Sequence, residues 1–185
     1  MKAIRQFISQ YFIDKPMIFI GLKFGIWYAI IHVLLNKILA IYPFILQNYL
    51  KEAAQFSILI LNSWLGLPYE TYEISIGMGV WNGDFLSVII NETCGGVPIY
   101  KLYIVLLFAF IPGIVKKIIG IISGVSILLF VNVLRIIGII LVKEFYPIYF
   151  KFAHEIVFVY LMYGLSIWIW YRIYKLPLKR KSIKI

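Results

Sequence analysis

Cysteine, histidine and acidic residues are all scarce in this chain. One Cys, Cys94, stands among 185 residues. No internal disulfide is possible, so the fold needs no oxidising compartment. Two His and one Cys do not make a structural zinc site, and no metal or other cofactor is expected. Charged residues make up 14% of the chain, against about 25% in an ordinary soluble domain. Hydrophobic residues fill the gap at 63%, with aromatics at 18%. A soluble domain of this size has no core large enough to hide so much apolar surface. Disorder is excluded by the same figures, because disordered segments are charged and poor in aromatics. The composition reads as an all-α polytopic membrane protein, a helical transmembrane bundle in one domain.

The net charge of +10 comes from 18 Lys and Arg against 8 Asp and Glu. In a membrane protein such an excess belongs to cytoplasmic loops and tails. It implies lipid surroundings and no nucleic-acid partner. Residues 1–16 mix Lys2, Arg5, Asp14 and Lys15 with apolar residues, as an interfacial lead-in does. Residues 17–35 are apolar except for Lys23 and long enough to cross a bilayer, which takes ~20 residues. They lack a small-residue cleavage site and read as a retained span. Residues 36–48 are a short apolar stretch broken by Pro43. Residues 44–67 read as a helix with a polar patch at Lys51, Glu52 and Gln55, stopped by Gly66 and Pro68. That patch suits a helix lying on the outer surface or only partly inserted.

Residues 68–93 change character. Two short β-branched segments, 69–77 and 85–91, flank Trp81-Asn82-Gly83-Asp84, and Asn-Gly is a strong hairpin signal. The stretch holds Glu70, Glu73, Asp84 and Glu92 and no Lys or Arg. It predicts a small acidic extracytoplasmic β-hairpin. Spans are expected at 97–112, 118–142 and 155–174. Lys116, Lys117 and a basic tail at 175–185 mark the cytoplasmic side. Cys94 and the 143–154 loop then face outward, although that loop carries Lys143 and Lys151.

The informative residues of a membrane protein are the costly ones. Arg135 falls within the 118–142 span, seven residues from its outer end, or about 10 Å of helix axis. An Arg near the middle of a span costs about 2.5–3.5 kcal/mol on insertion scales, and less near an end. Asn132 shares its helix face. The pair either faces a polar cavity open to the outer side, or glues helices and snorkels to headgroups. His154 opens the last span and can approach Arg135 across an antiparallel helix pair; Glu155 beside it is either solvated or a cap for the helix N-terminus.

Cys94 sits in Asn91-Glu92-Thr93-Cys94-Gly95-Gly96-Val97-Pro98, with Pro98 placed as an early helical residue. The positive end of a helix favours thiolate over thiol. Gly95 and Gly96 allow close backbone approach, and their N–H groups offer oxyanion donors. One Cys, one His and one intramembrane Arg therefore map to the same outer face. A thiolate attacks carbonyl carbon. His154 is suited to deprotonating the thiol and protonating the departing amine, and Arg135 to holding negative charge. Resolution of the thioester by water makes a protease; resolution by another nucleophile makes a transpeptidase.

Thr93-Cys94-Gly95-Gly96, then Asn132-Val133-Leu134-Arg135 inside a later span, then His154 opening the next, resembles the exosortase/archaeosortase family in order, spacing and sidedness. The match covers roughly Gly66 to Tyr174. The resemblance implies an integral-membrane cysteine transpeptidase with Cys94 as nucleophile and Arg135 and His154 as the other catalytic residues. It implies as partners exported proteins with a C-terminal sorting signal, made of a short motif, a transmembrane helix and a basic tail. The cleaved protein would pass to a lipid or surface-polymer acceptor. Many members carry Ser where this chain has Gly95, and many have more N-terminal spans; the chain looks like the short exosortase variants of Gram-negative bacteria, which places it in the inner membrane. Asp84 and Glu92 are candidate contacts for an extended motif, added as a strand to the acidic β-element. The rival reading is a non-enzymatic membrane protein, a transporter subunit or assembly factor, with Arg135 and Asn132 lining a polar cavity. Serine and zinc hydrolase motifs are absent, since no Gly-x-Ser-x-Gly occurs and His154-Glu155 lacks a second His.

Overall fold

The computed structural model describes residues 16–66, 68–83 and 85–176. The expected lead-in at 1–15 and the tail at 177–185 lie outside the described residues, as does Asp84. Helix α1 (Pro16–Ile41) has 26 residues and α2 (Pro43–Leu65) has 23. The break between them falls at Tyr42, whose φ of −123° and ψ of 65° are non-helical. Pro43 disfavours the helical conformation of the residue before it and then opens α2 from within its first turn. Asn36 does not end α1, because an Asn in an apolar helix costs only tenths of a kcal/mol of propensity. Gly66 ends α2 in the left-handed conformation, its N–H donating to the Asn62 carbonyl at 3.1 Å. Asn62 then joins helix to sheet: its Nδ2 donates to the Tyr69 carbonyl at 2.9 Å and its Oδ1 accepts the Tyr69 N–H at 3.1 Å.

The expected two-stranded hairpin is a three-stranded antiparallel meander, β1 (Tyr69–Ile74), β2 (Gly77–Asn82) and β3 (Phe85–Ile90), in that order. Gly77 and Gly79 make the middle strand look like a loop. Its packing overrides that: Met78 and Val80 are buried in the core beneath the sheet. A Cβ on Gly77 would overlap the Ile90 carbonyl oxygen, so the small residue lets strands approach rather than turn.

Helix α3 (Val97–Phe110) follows the Cys94 loop, and α4 (Ile114–Phe145) is 32 residues long. A 3-10 turn at Pro147–Tyr149, one helical turn at Phe150–Phe152 and a π turn at Ala153–Val157 lead into α5 (Phe158–Lys175). Three helical stretches are long and apolar enough to cross a membrane: Met17–Ile41, Ile114–Phe145 and Pro147–Lys175. The chain is a helical protein of transmembrane character with a small sheet. The expected span at 97–112 is a 14-residue helix, about 21 Å at 1.5 Å per residue and so shorter than a bilayer core of about 30 Å.

Side-chain pairs give the directions. Phe24 stacks near Phe110 and Trp27 near Phe108, while Asn36 accepts from Lys101 Nζ at 2.6 Å, so α1 and α3 are antiparallel. Lys116 Nζ donates to the Tyr174 carbonyl at 3.3 Å, and a Cβ on Gly138 would meet the Phe158 ring, so α4 and α5 are antiparallel too. Helix α2 runs the same way as α4: Tyr49 contacts Asn132, and beyond its end Tyr69 donates to Glu144 at 3.3 Å. Thus α2 climbs onward from α1 and does not turn back. The sheet, the Cys94 loop and the end of α4 share one end of the molecule, and Lys116, Lys117 and Lys175 share the other.

Two apolar cores result. One joins α2, the sheet and the upper turns of α4 through Leu61, Val80, Ile136 and Ile140. The other joins α3, mid-α4 and α5 through Tyr103, Leu128, Met162 and Ile169. In the second, Tyr103 Oη donates to the Gly120 carbonyl at 2.8 Å and its ring lies over Gly124. A Cβ on Gly124 would overlap that ring. Gly124→Ala is therefore expected to destabilise by about 1–3 kcal/mol through overpacking, read as a lowered midpoint of thermal unfolding in detergent; an unchanged midpoint would contradict this packing.

Candidate functional site

A polar layer separates the two cores. Asn132 and Arg135, on consecutive turns of α4, are 0% and 2% exposed. Charged and amide side chains remain buried only where hydrogen-bonding partners face them. Their partners are the backbone carbonyls of the Cys94 loop. Arg135 Nη1 donates to the Thr93 carbonyl at 3.2 Å and the Cys94 carbonyl at 3.4 Å. Asn132 Nδ2 donates to the Gly95 carbonyl at 3.1 Å. Three successive carbonyls are thus turned inward onto one face of α4.

The loop itself is a tight turn held by Asn91. Its Oδ1 accepts the N–H groups of Thr93 and Cys94, both at 3.1 Å. The Gly95 N–H donates to the Asn91 carbonyl at 2.7 Å, the Gly96 N–H to Thr93 at 3.1 Å, and the Val97 N–H to Glu92 at 3.2 Å. Gly96 closes the turn at φ 78°, a left-handed conformation that favours glycine. A Cβ on Gly95 would strike Leu50. The expected oxyanion role of the Gly95 and Gly96 N–H groups does not fit this arrangement, because both donors are engaged within the loop. Their fitted role is close packing. The unengaged donor is Arg135 Nε, buried without a partner among the described residues.

Cys94 Sγ lies 3.0 Å from His154 Nε2. These are the two groups that thiol chemistry needs within hydrogen-bond reach. His154 sits inside the π turn at Ala153–Val157, and its ring stacks on Phe150 with centroids 5.6 Å apart. A π turn inserts a residue and re-aims the side chains that follow, and such turns recur at functional sites. Among the described residues no carboxylate hydrogen-bonds this imidazole; the Phe150 ring holds its plane.

Burial pushes the Cys94 thiol above its ordinary range; the Arg135 charge and the Asn91 interaction pull it back only in part. Burial thus works against the thiolate that a helix N-terminus favours. Because Cys94 is the single cysteine, alkylation reports on it alone. The rate of iodoacetamide labelling should rise with pH to a midpoint above the value of about 8.5 for a free thiol. A midpoint near or below pH 7 would show a preformed thiolate and overturn this.

The remaining expected site residues divide. Glu92 is exposed and borders a 740 Å³ cleft also lined by Asn36, Leu50, Lys51, Glu73 and Met78. Cys94 does not line this cleft; Leu50 does, and its side chain also packs against Gly95. Asp84 lies outside the described residues. Its neighbour Asn82 donates to Glu144 at 3.2 Å, one strand length, or about 20 Å, from the Cys94 loop. One residue of the site had no sequence signal. Tyr49 on α2 donates to the Gly95 carbonyl at 2.5 Å, accepts from Asn132 at 3.2 Å and meets Tyr100 Oη at 3.0 Å. It is one of 14 tyrosines, and only the fold brings it to residue 95. No family model matches this chain, and neither a curated protein nor a solved structure matches it.

Proposed function

We propose that the protein is a membrane-embedded cysteine peptidase or transpeptidase of exosortase-like type. The observation that carries the reading is the 3.0 Å approach of Cys94 Sγ to His154 Nε2 beside a buried Arg135. These groups are 60 and 41 residues apart in sequence from Cys94, and no packing need brings a sulfur, an imidazole and a guanidinium together. In the first step His154 Nε2 takes the thiol proton as Sγ bonds to the substrate carbonyl carbon. Arg135 supplies positive charge to the resulting oxyanion. Collapse breaks the C–N bond, and His154 returns its proton to the leaving amine. An amine, hydroxyl or water then attacks the thioester, loses its proton to His154, and frees the thiol.

The depth of the site supports a membrane-anchored substrate. The closely spaced exposed apolar side chains of α4 run from Ile114 to Leu134, with Phe145 alone beyond them, a rise of about 30 Å, which is one hydrocarbon thickness. Arg135 is the next residue, so the site lies at the bilayer edge. Lys116, Lys117, Arg172 and Lys175 at the other end put that end in the cytoplasm by the positive-inside rule. The site then faces outward from a bacterial inner membrane. A substrate whose transmembrane helix lies alongside would present the residues just outside the membrane to Cys94, with its basic tail inside. The acceptor is a lipid or surface polymer carrying an amine or hydroxyl.

The test is co-expression with tagged exported proteins that end in a short motif, an apolar helix and a basic tail. Wild type should convert the tagged protein to a faster-migrating or acceptor-linked form. A hydroxylamine-sensitive adduct on the Cys94 peptide should also be found by mass spectrometry. Failure of the wild type to process any such protein would sink the reading.

A further inference from the structure

We propose that Tyr49 is a positioning residue of this site: its hydroxyl, bonded to the Gly95 carbonyl, fixes the peptide next to Cys94 and so keeps Sγ on His154. The geometry is specific. The 2.5 Å Tyr49 bond is the shortest of the contacts that hold the loop carbonyls, against 3.1 Å from Asn132 to the same oxygen and 3.2 and 3.4 Å from Arg135 to its neighbours. The Gly95–Gly96 peptide is flanked by two glycines, so no side chain opposes its rotation. Rotation would carry the Gly95 carbonyl off Asn132 and swing the attached Cys94 away from the imidazole. Inside the loop only the Gly96 N–H bond to the Thr93 carbonyl, at 3.1 Å, holds this peptide; the carbonyl end is held from outside, and Tyr49 comes from a different helix than Asn132. Two elements therefore grip one carbonyl oxygen, α4 from one side and α2 from the other. The edge-on contact with the Tyr100 ring keeps the Tyr49 ring in place, and Tyr100 Oη lies 3.0 Å from Tyr49 Oη.

A clamp of this kind predicts an unusual pair of changes. Removing it should release a buried thiol to solvent while uncoupling it from its base. In Tyr49→Phe the ring and its contact with Tyr100 remain and a single oxygen is lost. For full-length protein in detergent, the rate of Cys94 alkylation by iodoacetamide at pH 7.5 should rise at least threefold. Its pH midpoint should fall toward the value of a free thiol, about 8.5. The consequence for turnover rests on the thiol-peptidase reading above: kcat for substrate processing should fall about tenfold with KM within twofold. The thermal midpoint should fall by only a few degrees, the effect expected from loss of one hydrogen bond. Tyr100→Phe, which leaves the Tyr49–Gly95 bond in place, should alter both rates by less than twofold. An alkylation profile of Y49F that overlays the wild type would overturn the proposal, as would a Y49F change that Y100F reproduces in full. The alkylation arm needs no substrate. A shifted profile in a protein that never processes a substrate would refute the peptidase reading and leave the clamp standing; normal processing with an unshifted profile would refute the clamp alone. Should Y49F fail to fold, hydrogen exchange in the wild type decides: amides 93–97 should be protected, and exchange at the solvent rate would show a loop that nothing holds.

Discussion

Cys94→Ala is expected to abolish processing of a tagged substrate, a loss of at least 10⁴-fold and below detection in a gel assay. The magnitude follows from covalent catalysis. Among the described residues of the site, Cys94 is the nucleophile seen against the imidazole: His154 is the base, Arg135 is bonded to carbonyls, and the Tyr49 hydroxyl is bonded to Gly95, Asn132 and Tyr100. Loss of a nucleophile leaves only binding and electrostatics, a residue of catalysis orders of magnitude below the whole. His154→Ala should cost less, about 10²–10⁴-fold, because general-base assistance contributes in that range. Part of its loss should return at high pH. The sign follows from the raised thiol: with no base beside it, Cys94 must ionise by itself, and the fraction ionised grows as pH passes through its elevated value. Cys94→Ala removes no hydrogen bond of the loop backbone and replaces a small buried side chain with a smaller one. It should therefore accumulate in the membrane like the wild type. Processing by the Ala variant would refute the thiol mechanism and return the non-enzymatic reading, in which Arg135 and Asn132 serve packing.

The difference between what was legible in the sequence and what was not has a physical basis. Arg135, Asn132, His154 and Cys94 could be singled out because each is costly or rare in an apolar chain. Cost is a property of the residue and its segment, so one sequence reveals it. The partners they take are a property of the fold. The same argument that marked Arg135 could not say that it donates to the Thr93 and Cys94 carbonyls. A Gly-Gly pair allows the Gly95 and Gly96 N–H groups to serve as oxyanion donors; in the fold the Asn91 and Thr93 carbonyls take them up instead. Tyr49 carries no mark at all. The middle strand was hidden by its own glycines, whose small size serves strand approach rather than a turn. The π turn around His154 reads as plain helix, since Ala-His-Glu-Ile-Val has no signature for an inserted residue. The direction of α2 needed the Tyr49–Asn132 contact, which also accounts for a sheet on the same side as Cys94 without a further crossing.

Arg135→Ala is expected to combine the largest loss of stability with a loss of processing of at least a hundredfold, and the two effects are separable. Arg135 is 2% exposed and lies between two apolar cores. Truncation to Ala leaves a cavity and strips the Arg135 donor from the Cys94 carbonyl, while the Thr93 carbonyl keeps the Gly96 N–H. An unsatisfied buried polar group costs about 1–3 kcal/mol, so the combined cost is about 3–5 kcal/mol. Removing the cation also takes away the charge that partly offsets burial of the Cys94 thiol. The thiol should then ionise at still higher pH, and alkylation at neutral pH should slow wherever the loop keeps its place. Arg135→Lys separates the contributions. A Lys restores the charge and one nitrogen that can donate to both the Thr93 and Cys94 carbonyls, as Nη1 does, but it lacks the separate Nε–H that is left for an oxyanion. R135K should recover most of the thermal midpoint and the neutral-pH alkylation rate, yet less than a tenth of the processing rate. Full recovery of processing by R135K would show that charge alone suffices. Loss of stability in R135K equal to that in R135A would show that the fork is needed to hold the loop and that Arg135 acts on the chemistry through Cys94's position rather than on the oxyanion.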